Sequence, residues 1–213
     1  MGIRHSTRLD LGSIVIIALC VAVTAAAATL RAASRVPLTV TSGRVSISGT
    51  SNIHAYTAST TEVRIVRIQL ADGLAGPTFW NDILKPGAVE AFEIAIPAAT
   101  LSSPREGLDK NMHKALKVTE HADITFRLLR LEAKGDMPGT LRAYGVLKIA
   151  GVEREVAFDL TTQQNESTLT VKGEMPLLMT DYGITPPKAM LGMLKTDPKV
   201  MVTFETMLAI PLT

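Results

Sequence analysis

The sequence predicts an all-β domain of antiparallel strands carrying a short amphipathic helix and a capping loop, set behind an export segment. Three observations predict it. From Val36 onward apolar residues recur at every second position, the spacing that puts alternate side chains on opposite faces of a strand. Turn-forming pairs punctuate that pattern at Asp72-Gly73, Pro86-Gly87, Gly135-Asp136, Pro138-Gly139 and Asn165-Glu166. One stretch alone, around Leu108 to Leu116, has clear helical spacing.

The first element is not part of the fold. Arg4, His5 and Arg8 precede an apolar run from Ile14 to Val23, followed by the alanines 25–28, which is the layout of a secretory signal ending after Ala27 or Ala28. The rival reading is an uncleaved inner-membrane anchor over residues 11–30, since that stretch approaches the ~20 residues that span a bilayer; Gly12, Ser13 and Thr24 weaken it. Cys20 follows Leu19, not the small residue that lipidation favours. Taking residues 1–28 as the signal and 29–35 as a linker leaves a domain over 36–213.

That subtraction changes the composition. The full chain of 213 residues has 22 basic and 20 acidic residues and one cysteine. Without Arg4, Arg8, Asp10 and Cys20 the remainder is nearly neutral and free of cysteine, which excludes disulfides, thiolate catalysis and thiolate metal ligands. A balance this even gives no basic field for nucleic acid. Aromatic residues make up only 4% of the chain, which argues for an interior built from aliphatic and methionine side chains.

Strands are expected at Leu38–Ser48, Thr60–Leu70, Val89–Ile96, Ile124–Glu132 and Leu141–Ile149, then around Val156–Leu160 and Leu169–Val171. The last is the clearest: Val200, Val202, Phe204, Thr206, Leu208, Ile210 and Leu212 share one face, Lys199, Met201, Thr203, Glu205 and Met207 the other. Within Thr60–Leu70 the apolar parity switches, and a bulge near Ile65 reconciles it. About eight strands with short links suit a sandwich or a closed barrel, and periodicity does not separate the two. Leu108, Met112, Ala115 and Leu116 form the apolar stripe of the short helix. Thr180–Lys195, with Pro186-Pro187, is a second insert suited to capping a barrel end.

Chemistry is sparse. His54, His113 and His121 have no metal-ligand spacing, and no zinc or phosphate-loop motif occurs. His113 reads as a solvated helix residue, His121 as a corner residue, and His54, beside Ser51 and Asn52 at a strand end, as the most interesting of the three. A triad from Ser51, His54 and Asp181 lacks any nucleophile elbow. Glu153 and Glu155 read as a solvated strand face. The nine methionines, among them Met112, Met175, Met179, Met190 and Met193, suit either a plainly packed core or a flexible apolar partner.

Four segments, "GTSNIHAYTAS", "NMHKALKVTEHADITF", "GVLKIAGVEREVAFDL" and "MPLLMTDYGITPPKAMLGMLKTDPKVMVTFE", occur in the order found in the YceI-like family of secreted bacterial lipid- and polyisoprenoid-binding proteins, which the chain resembles from about Val36 to Leu212. The resemblance implies an antiparallel eight-stranded, lipocalin-like barrel with a long apolar chain in its lumen. Two departures stand out. Ala55 and Tyr56 replace an aspartate and a tryptophan usual after the first motif's histidine, and Ala122 replaces a proline.

The expected function is non-catalytic carriage or storage of a polyisoprenoid or other long-chain lipid in the periplasm, without cofactor, metal or nucleic acid; membrane proximity and a homodimer stay open. Expected ligand-binding residues are His54, Met112 and Leu116 on the helix, Phe126 and Tyr144 on central strands, and Met179, Tyr182, Met190 and Leu194 in the cap. The alternatives are an envelope interaction module with a packed barrel, and an enzyme using His54.

Overall fold

The computed structural model describes residues 38–135, 137–189 and 194–210, at 188, 189 and 194 the backbone alone. Residues 1–37, with the expected signal and linker, Met190, and Leu212 of the expected last strand lie outside the described residues. In chain order the elements are β1 (Thr39–Ser51), β2 (Ala55–Thr60), β3 (Arg64–Leu70), α1 (Phe79–Asp82), β4 (Val89–Pro97), a 3-10 turn (Ala98–Thr100), α2 (Glu106–Ala115), β5 (Asp123–Ala133), β6 (Thr140–Ile149), β7 (Val152–Asn165), β8 (Thr168–Leu178), a second 3-10 turn (Met179–Tyr182), β9 (Lys188–Ala189) and β10 (Leu194–Ala209). Among the described residues no helix is long and apolar enough to cross a membrane.

The strands form one antiparallel sheet in the order β2-β1-β10-β8-β7-β6-β5-β4-β3, curled into a half-barrel, with the two-residue β9 paired only to the start of β10. Strands β3 to β8 are a meander, each pairing with the next, and β10 returns to join its end to the N-terminal hairpin. The path therefore has nine strands where about eight are expected. The added one is β2, whose inward residues Tyr56, Ala58 and Thr60 carry too little apolar signal to mark a strand. The expected strand Thr60–Leu70 divides accordingly into the end of β2 and all of β3.

The ends of the path, β2 and β3, share no ladder among the described residues. The chain between β4 and α2 covers the gap. Ser59 and Ser102 exchange two backbone hydrogen bonds, of 2.8 and 3.0 Å, and the buried Thr60 hydroxyl lies 2.7 Å from that of Thr100.

Alternation decides what faces inward. In β6, Leu141, Ala143, Gly145, Leu147 and Ile149 are buried while Arg142, Tyr144, Val146 and Lys148 are not. Where the parity breaks, a bulge intervenes. The β3–β4 register shifts between Ile65 and Arg67, and the β5–β6 register between Leu128 and Arg130. The residues left over, Val66 and Leu129, are 54% and 46% exposed, which accounts for two large apolar side chains in water. On the outer face, Arg64–Asp123, Arg142–Asp159 and Lys172–Glu205 pair across strands. Glu153 likewise faces Lys148 at 3.6 Å. These exposed pairs contribute little to stability.

Three inward glycines each carry an aromatic ring from a neighbouring strand. A Cβ on Gly49 would lie 2.3 Å from the Tyr56 hydroxyl, one on Gly173 2.5 Å from the Phe204 ring, and one on Gly145 2.4 Å from the Phe126 ring. At Gly145 the Arg127 carbonyl oxygen would also be only 2.6 Å away, and backbone cannot step aside as a side chain can. Gly145→Ala is therefore expected to destabilise the protein by about 2 kcal/mol or more through overpacking, read as a lower urea midpoint at unchanged slope.

Candidate functional site: an apolar cavity along the lumen

The inward faces enclose a cavity of about 310 Å³ that runs through the half-barrel. An apolar cavity of roughly 150 Å³ already admits benzene, so this one has room for more than a ring. One wall is β10, where Thr196, Val200, Val202, Phe204, Thr206 and Leu208 all line it, a run of about 40 Å along the strand at ~3.3 Å per residue. The face read from the sequence in this strand is the lumen face.

The two ends are closed differently. At one, α1 inserts Phe79 and Trp80, 1% and 3% exposed, their rings meeting edge to face at 5.1 Å. They pack with Ile83, Leu38, Leu169 and Leu208. At the other, α2 lays Leu108, Met112, Ala115 and Leu116 over the opening, the stripe expected from its spacing. Polar bonds hold α2 in place: Asp109 accepts from the Ser103 backbone N–H and hydroxyl at 2.9 and 2.7 Å, and His113 Nε2 donates to the Leu101 carbonyl at 2.8 Å. His113 is thus a tether of this helix, not a freely solvated residue.

Six of the nine aromatic residues line the cavity: Tyr56, Phe92, Phe126, Phe158, Tyr182 and Phe204. Phe158 stands between Phe126 and Phe204, with centroids 5.4 and 5.6 Å away, as an aromatic belt along the lumen wall. The low aromatic count thus does not make a purely aliphatic interior; the few rings are concentrated there. No charged residue lines the cavity among the described residues.

Of the expected site residues, Met112, Leu116, Phe126, Met179 and Tyr182 meet on this cavity. Two do not line it. Tyr144 has the parity of Arg142 and Lys148, and its ring lies on the outer face under the Arg130 guanidinium, 3.6 Å from the centroid. His54 sits in the β1–β2 turn. Its backbone N–H and carbonyl both engage the Ser51 hydroxyl, and its Nε2 accepts from the Arg105 guanidinium just before α2. Ser51 is thereby bonded to backbone, and no Ser-His-Asp triad forms. His121 lies against Gly151 at the β6–β7 turn. Leu194 opens β10, paired with Ala189. Among the described residues no group of three or more His, Cys, Asp or Glu is placed to hold a metal ion.

Tyr182 is the exceptional residue of the cavity. It ends the 3-10 turn after Leu178, and that turn is fixed on both sides. Gly183 takes the left-handed conformation (φ 66°) that closes it, Ile184 N–H bonds the Met179 carbonyl at 3.0 Å, and Arg154 Nε donates to the Asp181 carbonyl at 2.9 Å. So held, Tyr182 is 2% exposed and its hydroxyl has no hydrogen-bond partner, the one such buried side-chain atom among the described residues. Burial pushes its phenol up to about 12, with Asp181 adding to the shift and Arg154 opposing it. Burial also raises Tyr56, aided by Asp197.

Sequence and structure comparisons agree with this architecture. The family model for the YceI-like domain matches residues 24–208. The chain belongs to the YceI-like family. Among solved structures it is similar to Burkholderia cenocepacia BcnA (TM-score 0.60, 13% identity, 78% of this chain and 95% of that one). It is also similar to a polyisoprenoid binding domain from Saccharophagus degradans implicated in plant cell wall breakdown (TM-score 0.60, 12% identity, 83% and 100%). The Campylobacter jejuni YCEI protein is a third (TM-score 0.51, 13% identity, 74% and 82%). At these identities the likeness is one of fold. No curated protein sequence matches the chain.

The signals for the lining residues missed from sequence were uneven. Phe158, Phe204 and Val200 stand on the apolar faces of their strands, whereas nothing periodic marks Ile83, nor Phe79 and Trp80, which pack behind the lining without being part of it.

An unpartnered buried hydroxyl costs about 1–3 kcal/mol. Tyr182→Phe is accordingly expected to stabilise the ligand-free protein by about 1 kcal/mol in urea unfolding. The raised phenol also fixes the sign at high pH. The unfolded chain loses the proton near 10 and the folded one only near 12, so stability falls as pH rises across that window and Tyr182→Phe flattens the fall.

Proposed function

We propose that the protein binds and holds a long apolar chain, of the polyisoprenoid or related lipid class, in the lumen of a periplasmic half-barrel, without covalent chemistry. The observation that carries this reading is the continuous cavity of about 310 Å³ with no charged residue in its lining among the described residues. Membership of the YceI-like family and the likeness to a polyisoprenoid binding domain support it. The basic and apolar segment over residues 1–28 supports export. A packed interior serving as an interaction module is disfavoured by the same cavity.

The energetics suffice. Each methylene removed from water contributes ~0.8 kcal/mol, so ten of them reach about 8 kcal/mol, the scale of a micromolar dissociation constant before ordering losses. Such binding needs no catalytic group. It grades affinity by the length of chain the lumen accepts.

Native mass spectrometry of gently purified protein is expected to show a retained apolar ligand, and delipidated protein should take up polyprenyl or fatty chains. Ligand-free protein that takes up neither would refute the reading. Ala143, 1% exposed and part of the lining, offers a second check: Ala143→Phe should shorten the longest chain retained, at a stability cost of about 1–3 kcal/mol.

A further inference from the structure

We infer that Tyr182 is a neutral hydrogen-bond donor for one end of the ligand, so that the cavity selects long apolar chains ending in an uncharged oxygen acceptor, a carbonyl above all. This rests on the lipid-binding reading above and adds to it a ligand class and an orientation.

The argument starts from the accounting of polar groups. A buried donor is almost always satisfied, and one left unsatisfied in a native structure calls for a reason. Tyr182 is buried, it lines the cavity, and its hydroxyl meets no acceptor. Another hydroxyl in the lining is already engaged: Thr162 donates to the Gly139 carbonyl at 3.1 Å. The turn carrying Tyr182 is pinned by Arg154 and Gly183, so the phenol is held in place, and such fixed donors discriminate between ligands most sharply.

The charge of the acceptor follows from what is missing around it. No lysine or arginine lines the cavity among the described residues, and of the two charges felt by the phenol Asp181 outweighs Arg154, whose Nε is held on the Asp181 carbonyl, so a phosphate drawn down to Tyr182 would bury a charge with no cation in the cavity to meet it. A neutral oxygen has no such cost, and in an apolar wall its hydrogen bond to the phenol is strong. The raised phenol keeps Tyr182 protonated, hence a donor, at any physiological pH.

Position sets the direction of the chain. Leu178, which precedes this turn and pairs with Lys199, lines the cavity while 43% exposed, so Tyr182 stands near the rim. Phe79 and Trp80 stop the opposite end. The oxygen-bearing end therefore stays by Tyr182 and the tail runs toward α1.

The test uses delipidated full-length protein and its Tyr182→Phe variant, with displacement of bound N-phenyl-1-naphthylamine by pentadecane, 2-pentadecanone and tetradecyl phosphate. The wild type should bind the ketone about tenfold tighter than the alkane, with the phosphate weaker than the ketone; in Tyr182→Phe the ketone preference should collapse while the alkane binds at least as well. An unchanged ketone preference in the variant, equal binding of ketone and alkane by the wild type, or a phosphate that matches the ketone would overturn the inference and leave the lipid-binding reading standing. Wild-type protein that takes up none of the three and carries no lipid overturns both. A second measurement avoids dependence on the variant. The infrared carbonyl stretch of 2-pentadecanone bound to wild type should lie below its value in hexane, and a hexane-like frequency counts against Tyr182 as donor.

Discussion

The register of β10 is the constraint on which the rest of this molecule depends. It joins the meander to the N-terminal hairpin, pairing with β8 through Lys199–Ala209 and with β1 through Thr196–Ala209. A slip of one residue would turn Val200, Val202, Phe204 and Leu208 to the solvent and drive Lys199 and Glu205 into the lumen. The penalty for that exchange is shared by both neighbours, so the longest strand of the fold also aligns the others. On the outer face the same register sets Lys172 beside Glu205, an exposed pair that adds little energy.

Given that register, the glycines keep the lumen from filling. Phe204 lies opposite Gly173 in the ladder, and Tyr56 opposite Gly49. A ring laid on a glycine occupies the wall, where a Cβ would otherwise stand, so large residues line the lumen without meeting across it. Phe126, over Gly145, extends the same device to the β5–β6 pair. The belt of Phe126, Phe158 and Phe204 thus packs along the wall while a cavity of about 310 Å³ persists beside it.

Legibility in the sequence followed the strength of the amphipathic signal. β10 and α2 were readable almost residue for residue, because each sets a wet face against a dry one, and the parity switch at Ile65 correctly pointed to a bulge. β2 escaped because Ala58 and Thr60 bury little apolar area. α1 escaped because a single turn of helix has no period to detect; Phe79 and Trp80 earn their burial from tertiary packing alone. The choice of barrel over sandwich came from the family resemblance, since both give the same alternation. Tyr144 was misplaced by residue type: an aromatic on a central strand suggested the lumen, although its parity with Arg142 and Lys148 put it outside. Tyr182 was legible as a cavity residue, but its missing partner was not, because hydrogen-bond satisfaction is a property of the folded surroundings.

The two ends of the lumen differ in how firmly they are sealed, and that difference fits the placement of the single unpartnered donor. The α1 end is closed by side chains that are themselves buried, so opening it would expose Phe79 and Trp80 to water, at about 1.5–3 kcal/mol for each large apolar residue. The α2 helix has no fully buried residue: Met112 and Ala115 are only partly buried against the core, and beside that packing a few hydrogen bonds hold it, from Ser103 to Asp109, from His113 to Leu101 and from Arg105 to His54, each worth about 1 kcal/mol against competing water. The covered end is therefore the cheaper one to part, and it is also the end where Tyr182 and the half-exposed Leu178 stand. A chain that enters there leads with its apolar tail, which gains from burial at every methylene, and brings its polar end to the rim last. The exposed His54 turn, expected to contact ligand directly, contributes instead by bonding the start of the helix that covers it.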